Sequence, residues 1–214
     1  MKIFLNVLFA LLPSVIKKLL LLAMGHKICW TSYIGISYIN IFGVINLGRY
    51  SRIGSFNFLN THEITLDAGS KIGAFNWIAG KSLGEGLRMG ICSSIRRFHY
   101  LDTTGGITIG ANTIIAGRGT VIFTHGLSPK CLDVVRKVVI GDWVYIGARV
   151  NILPGTSIAN GIFVGMGSTV VGNLDSEYSV YTSQKAQKVS QSDSNDIYYQ
   201  REVIIHNHLK GKEL

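Results

Sequence analysis

The sequence predicts an all-β chain folded as a three-sided parallel β-helix, and three observations carry that reading. From Val138 to Asn173 an aliphatic residue returns every six positions, at Ile140, Ile146, Ile152, Ile158, Val164 and Val170. The residue after it is Gly at 141, 147 and 165 and Ala at 159. Glycine numbers 25 against 3 prolines, which suits many tight corners better than a disordered linker. A helix would repeat its apolar stripe at about 3.6 residues, and an ordinary strand would alternate with period 2 until a turn stopped it. A strict six fits one short strand plus one corner, with an aliphatic side chain pointing inward per face and a small residue where the backbone bends. Three such faces close a coil. Stacked coils bury continuous aliphatic ladders, so each coil is held mainly by its neighbours.

Taken in order, residues 1–27 read as an apolar, amphipathic helical segment interrupted by Pro13-Ser14 and Lys17-Lys18. Neither half reaches the ~20 apolar residues needed to span a bilayer. The paired lysines and the lack of a small-x-small cleavage site disfavour a secretory signal. Two short helices fit, either lying on a membrane surface or packed over the open end of the coil stack. In that picture Lys17 and Lys18 face lipid headgroups or water.

The β-helix is expected over residues 28–173, with Ile28 to Ile45 as a degenerate first coil. The beat begins at Leu47, Ile53 and Leu59, slips by one residue as a bulge would, and resumes at Leu66, Ile72 and Ile78. It weakens from Ser82 to Tyr100, where Arg88, Arg96, Arg97 and His99 gather, and returns at Ile109, Ile115 and Val121. That basic stretch reads either as a solvated outer face or as a ligand-facing one. Residues 124–137 form an inserted loop: Val121 and Ile140 lie 19 apart, one more than a full coil. Long loops in compact domains are usually functional. Residues 174–214 are a polar C-terminal extension.

Lys and Arg total 21 against 12 Asp and Glu, so the surface should attract anions such as nucleotide phosphates, acidic glycans or lipid headgroups. No basic stripe interleaved with aromatics points to nucleic acid. Cys29, Cys92 and Cys131 lie far apart without CxxC spacing, which argues against a metal site or a disulfide framework and fits a reducing cytosol.

Among six histidines, His125 stands out because it sits where a ladder ends and the insert begins. An imidazole there could take a proton from an incoming hydroxyl or amine, although residue type and place alone also suit a surface histidine at a loop entrance.

The run G-I-T-I-G-A-N-T-I-I-A-G-R-G-T-V-I-F-T-H, the insert after it and the repeat from Val138 to Val171 resemble the hexapeptide-repeat acyltransferases, closest to the sugar O-acetyltransferase branch serving bacterial polysaccharides. The resemblance covers roughly residues 47–189. It implies a left-handed parallel β-helix, a homotrimer, and acetyl-CoA bound in the groove between two subunits, without a metal. It implies that His125 is the general base in direct acetyl transfer, with a backbone amide near Gly147 steadying the oxyanion. Asp102 matches a position that often holds an acceptor-binding acid, and could accept sugar hydroxyls or orient an imidazole. Ser93, Ser94, His99 and Tyr100 fall in the same acceptor region, Ser93 or Ser94 standing where many relatives carry Asn. Tyr145 matches a cofactor-side aromatic, with Trp143 two residues earlier. Gly147, Ala148, Gly165 and Met166 match backbone positions along the pantetheine arm, and Lys185 and Lys188 could meet phosphates.

Three rivals stay open at this level: an N-acetyltransferase of an amino or nucleotide sugar, a non-catalytic trimeric scaffold, and a zinc carbonic anhydrase of the same fold. The last needs three converging histidines, and only His99 and His125 lie near the right coils. The expected location is the cytoplasm, with residues 1–24 able to meet the inner face of the membrane.

Overall fold

The structure is a computed structural model. It describes residues 1–81, 85–128 and 131–183, with backbone alone at 127, 128 and 131–133. Helices α1 (Lys2–Leu11) and α2 (Ser14–Ala23) come first. Short strands then wind about seven turns of a parallel β-solenoid, forming sheets of eight, eight and seven strands that are the three faces of a prism. The first edge joins the first face to the second, the second edge the second to the third, and the third edge the third face to the next coil.

The aliphatic beat becomes the core. On the first face Leu47, Leu66, Met89, Ile109, Ile140 and Ile158 stack in register. On the second, Ile53, Ile72, Ile95, Ile115, Ile146 and Val164 do the same. Nearly all of these side chains are fully buried in one continuous column. Each is covered by the coil above and the coil below, which is why the repeat cannot be stable one coil at a time.

The corners explain the spacing. Tyr50, Cys92, Asn112, Trp143 and Tyr178 on the first edge, and Phe56, Phe75, Phe98 and Arg149 on the second, all have φ between 53° and 61°. Left-handed backbone costs a non-glycine residue about 1–2 kcal/mol, and the hydrogen-bonded coils on either side enforce it. Gly54 shows the reverse constraint, since a Cβ there would stand against the Gly73 carbonyl of the next coil.

Several expectations need correction. Residues 27–39 form a full first coil, with Ile28, Ile34 and Ile39 buried. The inward residue of the fifth coil's third face is Ile122, not Val121, because the corner from Gly117 to Thr120 holds an extra residue and both its glycines take positive φ. The coil expected to be irregular is regular: Leu87, Met89, Ile95 and Leu101 all point inward. The basic group of that coil disperses. Arg88 faces outward and bonds Glu63 through two parallel hydrogen bonds, while Arg96 and Arg97 stand on the second edge. The insert is a β-hairpin rather than a loop, strand His125–Ser128 running antiparallel to Cys131–Val135.

Lys17 and Lys18 are buried instead of facing headgroups or water. The first coil has no coil beneath it, so its backbone groups need other partners. Lys17 Nζ donates to the carbonyls of Ala10 and Gly35, and Lys18 Nζ to those of Trp30 and Ser32. Asn6 Oδ1 accepts from Ile41 N–H and Ser14 Oγ from Ile34 N–H. The helices therefore cap the open end of the solenoid with their polar side chains.

Candidate active site

The site is built where the fourth and fifth coils meet at the third edge. Strand Tyr100–Asp102 ends the fourth coil's third face, and the chain leaves the fifth coil one step above it at Thr124-His125. Asp102 is 2% exposed, and both its oxygens are occupied. Oδ2 accepts from Thr124 N–H at 2.9 Å, Thr124 Oγ1 at 2.8 Å and His125 N–H at 3.0 Å, and lies 2.6 Å from His125 Nδ1. Oδ1 accepts from the backbone and hydroxyl of Thr104. Burial alone would raise the Asp102 carboxyl, but the hydrogen bonds from Thr104, His125 and Thr124 outweigh it and hold the group below its ordinary value. An ionised carboxylate can only accept, so Nδ1 of His125 is the protonated nitrogen. Its side chain remains 41% exposed, and no bond to Nε2 occurs among the described residues. A ring fixed on one side by a buried carboxylate and open on the other is suited to accept a proton at Nε2.

The other expected residues spread over the prism. His99 is 2% exposed and has no surface to offer an acceptor. It is a rung in a polar ladder inside the second edge: Asn76 N–H and Nδ2 bond Asn57 Oδ1, His99 N–H bonds Asn76 Oδ1, and Thr120 N–H bonds His99 Nδ1. Desolvation lowers its pKa to about 4, and its Nε2 has no partner among the described residues. Ser93 is also buried, its hydroxyl donating to the Gly90 carbonyl at the first edge. Ser94 is half-buried on the second face and Tyr100 points outward on the third, its ring 5.7 Å from that of Phe123. Among the described residues, none of their side chains bonds His125 or Asp102.

Of the positions matched to a cofactor, Trp143 is exposed on the first edge, while Tyr145 stacks on Phe163 at 4.4 Å on the second face. Gly147, Ala148, Gly165 and Met166 follow each other on the second edge. There glycine is demanded by stacking: a Cβ on Gly147 would come within 2.8 Å of Met166 N, and one on Gly165 within 2.6 Å of Thr182 Oγ1. The Gly147 N–H is spent on the Val164 carbonyl, so a donor to an oxyanion near Gly147 has to be another amide. Lys185 and Lys188 lie outside the described residues. Beside Ala148 a notch of about 540 Å³ is lined by Arg96, Arg97, Phe98, Gly117 and Arg118. No ion pair engages these three arginines among the described residues.

Sequence reasoning missed Thr104 and Thr124, which complete the Asp102 cage, and Arg118. The threonines had a signal in D-T-T and T-H, since a hydroxyl two residues after Asp is placed to close a local turn.

No family model matches the chain. Among curated proteins it is similar to the bifunctional protein GlmU of Acinetobacter baylyi, 30% identical over 72% of this chain and 30% of that protein. It is 23% identical to GlmU of Acetivibrio thermocellus over 60% of this chain and 28% of that protein. The chain thus spans under a third of these relatives' length. A putative lipopolysaccharide biosynthesis O-acetyl transferase of Escherichia coli, WbbJ, is 32% identical over 37% of this chain and 48% of its own. Among solved structures, the polysialic acid O-acetyltransferase OatWY superposes with a TM-score of 0.57 at 17% identity, covering 81% of this chain and 93% of its own. The chain has the hexapeptide-repeat acyltransferase fold. A second structure with that fold is a point mutant of AntD, an N-acyltransferase from Bacillus cereus, in complex with dTDP-4-amino-4,6-dideoxyglucose and coenzyme A. It gives a TM-score of 0.53 at 20% identity over 91% of this chain and all of its own. Within the hexapeptide-repeat acyltransferase fold, the Asp102–His125 pair marks the edge where this chain's insert leaves the solenoid.

Proposed function

We propose that the protein transfers an acetyl group from acetyl-CoA to a hydroxyl of a sugar in a bacterial surface polysaccharide, with His125 as general base. The observation that carries this reading is the 2.6 Å contact between His125 Nδ1 and the buried Asp102 carboxylate. Nε2 removes the proton of the sugar hydroxyl as its oxygen attacks the thioester carbonyl carbon. The tetrahedral intermediate then expels the sulfur, and the imidazolium returns its proton to the departing thiolate, leaving O-acetyl sugar and free CoA. Positioned bases of this kind contribute roughly 10²–10⁴-fold. The Ala148 amide, which makes no hydrogen bond among the described residues, is the candidate donor to the oxyanion.

His125 leaves the third edge while Gly147, Ala148, Gly165 and Met166 line the second, so one copy does not hold both halves of the site. A homotrimer that sets the third edge of one copy against the second edge of its neighbour unites them. The exposed aromatics Trp77, Tyr100 and Phe123 of the third face supply apolar surface for that contact. Arg96, Arg97 and Arg118 on the second edge supply positive charge for cofactor phosphates or an acidic acceptor.

The likeness to AntD favours a second reading, an N-acyl transfer to an amino sugar, which would use His125 in the same way. Incubating the protein with acetyl-CoA and parallel sets of hydroxyl and amino sugars, with thiol release as readout, tests both. Release stimulated by hydroxyl acceptors supports the first reading, and release by amines alone replaces it with the second. Release by neither, without a rise in melting temperature on adding CoA, leaves a scaffold.

A further inference from the structure

We infer that the outer face of α1 and α2 docks the protein on an anionic lipid bilayer, lying in the headgroup region without crossing it. The capping geometry turns Asn6, Ser14, Lys17 and Lys18 toward the solenoid, so the surface left outside is apolar. Ile3, Phe4, Leu8, Leu11, Leu19 and Leu22 are each between 42% and 71% exposed on two adjacent helices. Large apolar side chains left exposed in such number on one end of a fold mark an interaction site. Among the described residues no helix is long and apolar enough to cross a membrane, so the face can lie in an interface but not span one.

Charge selects the partner. The first acidic residue of the chain is Glu63, so the helices and the first two coils carry none. Lys2, Lys27, Arg49 and Arg52 are exposed around that end. Trp30, Tyr33 and Tyr50 are exposed there as well, the aromatic types that settle at the headgroup level. An apolar face rimmed by aromatics and cations, on helices and coils that carry no acidic residue, is complementary to an anionic bilayer. A second copy of this chain would bring the same cations against one another.

Docked this way, the prism rises from the bilayer along its stacking axis. His125 leaves the fifth coil, four steps of about 4.8 Å above the first, hence roughly 20 Å from the capped end. In a cyclic trimer all three caps face one side, and three weak insertions act together. The docking itself does not depend on the reaction at His125.

The test is co-sedimentation of the full chain with vesicles of phosphatidylcholine alone and of a three-to-one phosphatidylcholine–phosphatidylglycerol mixture. Binding is expected to the mixed vesicles and to weaken with salt. The triple substitution Phe4→Gln, Leu8→Gln and Leu19→Gln should lower partitioning roughly tenfold or more while leaving the melting temperature unchanged. Hydrogen exchange of the unaltered protein, read over residues 1–24, should slow when mixed vesicles are added, which guards against a variant that fails to fold. Wild-type protein that sediments no better with mixed vesicles than without them overturns the proposal. So does a folded triple variant that binds equally, or one whose effect is a smaller oligomer in vesicle-free buffer, which would assign the face to a second copy.

Discussion

Asp102 Oδ2 lies 2.6 Å from His125 Nδ1 across one step of the coil stack, and the same oxygen accepts the backbone N–H of His125 and both donors of Thr124. One carboxylate thus fixes the backbone exit of the insert and the tautomer of the ring together. Replacing it with Asn removes the charge and half of the acceptor capacity. Asp102→Asn should lower kcat by roughly 10²-fold, within the range expected for impairing a positioned base. Steady-state thiol release checks this, and a KM for acetyl-CoA that rises while kcat stays unchanged would place Asp102 outside the catalytic unit.

Acid stability follows from His99 and Asp102. His99 titrates near 6.5 when unfolded and near 4 when folded, so between those values the unfolded chain binds more protons. The stability due to its neutral form is complete above pH 6.5 and is lost as pH falls toward 4, about 3 kcal/mol over the window. Asp102, whose folded value is also depressed, adds a further loss below 3.8. His99→Asn would continue the ladder of Asn57 and Asn76, keep an acceptor for Thr120 N–H, and remove the unpartnered Nε2. Its melting temperature should match or exceed wild type at pH 7 and fall less steeply between pH 6.5 and 4. A variant with the wild-type slope would show that another group carries the acid response.

Packing can be probed away from the site at Ile146, which is fully buried between Ile115 below and Val164 above. Ile146→Ala removes contacts to both coils at once and should cost about 2–5 kcal/mol. Thermal or denaturant unfolding measures it, and a cost under about 1 kcal/mol would mean that the column repacks around the gap.

The intersubunit arrangement can be tested by complementation. His125→Ala lacks the base and Ala148→Phe obstructs the opposite edge, so each alone should be inactive. Mixed trimers of the two should regain about a quarter of wild-type activity, because one arrangement in four pairs an intact His125 with an intact second edge. Mixtures as inactive as their components would place the whole site within one chain.

Much of this was legible in the sequence where one residue type had one physical reason to recur. The six-residue beat became the three ladders, while His125 stood out by its place at the end of a ladder and drew its role as base from the family resemblance. What stayed hidden depended on contacts between coils. Glycine at 147 reads equally well as room for a ligand or as room for the Met166 backbone, and spacing does not separate them. Lys17 and Lys18 look like surface charge until the open carbonyls of the first coil are seen beneath them. The corner from Gly117 to Thr120 hid its extra residue because Val121 and Ile122 are both aliphatic and neither betrays which faces inward.

The most direct measurement of the central claim is turnover of purified His125→Ala with acetyl-CoA and the best acceptor found for the wild type, alongside its CoA affinity and oligomeric state. The account predicts a kcat lower by roughly 10²–10⁴-fold, with CoA affinity and assembly unchanged. Turnover within a few-fold of wild type would contradict it.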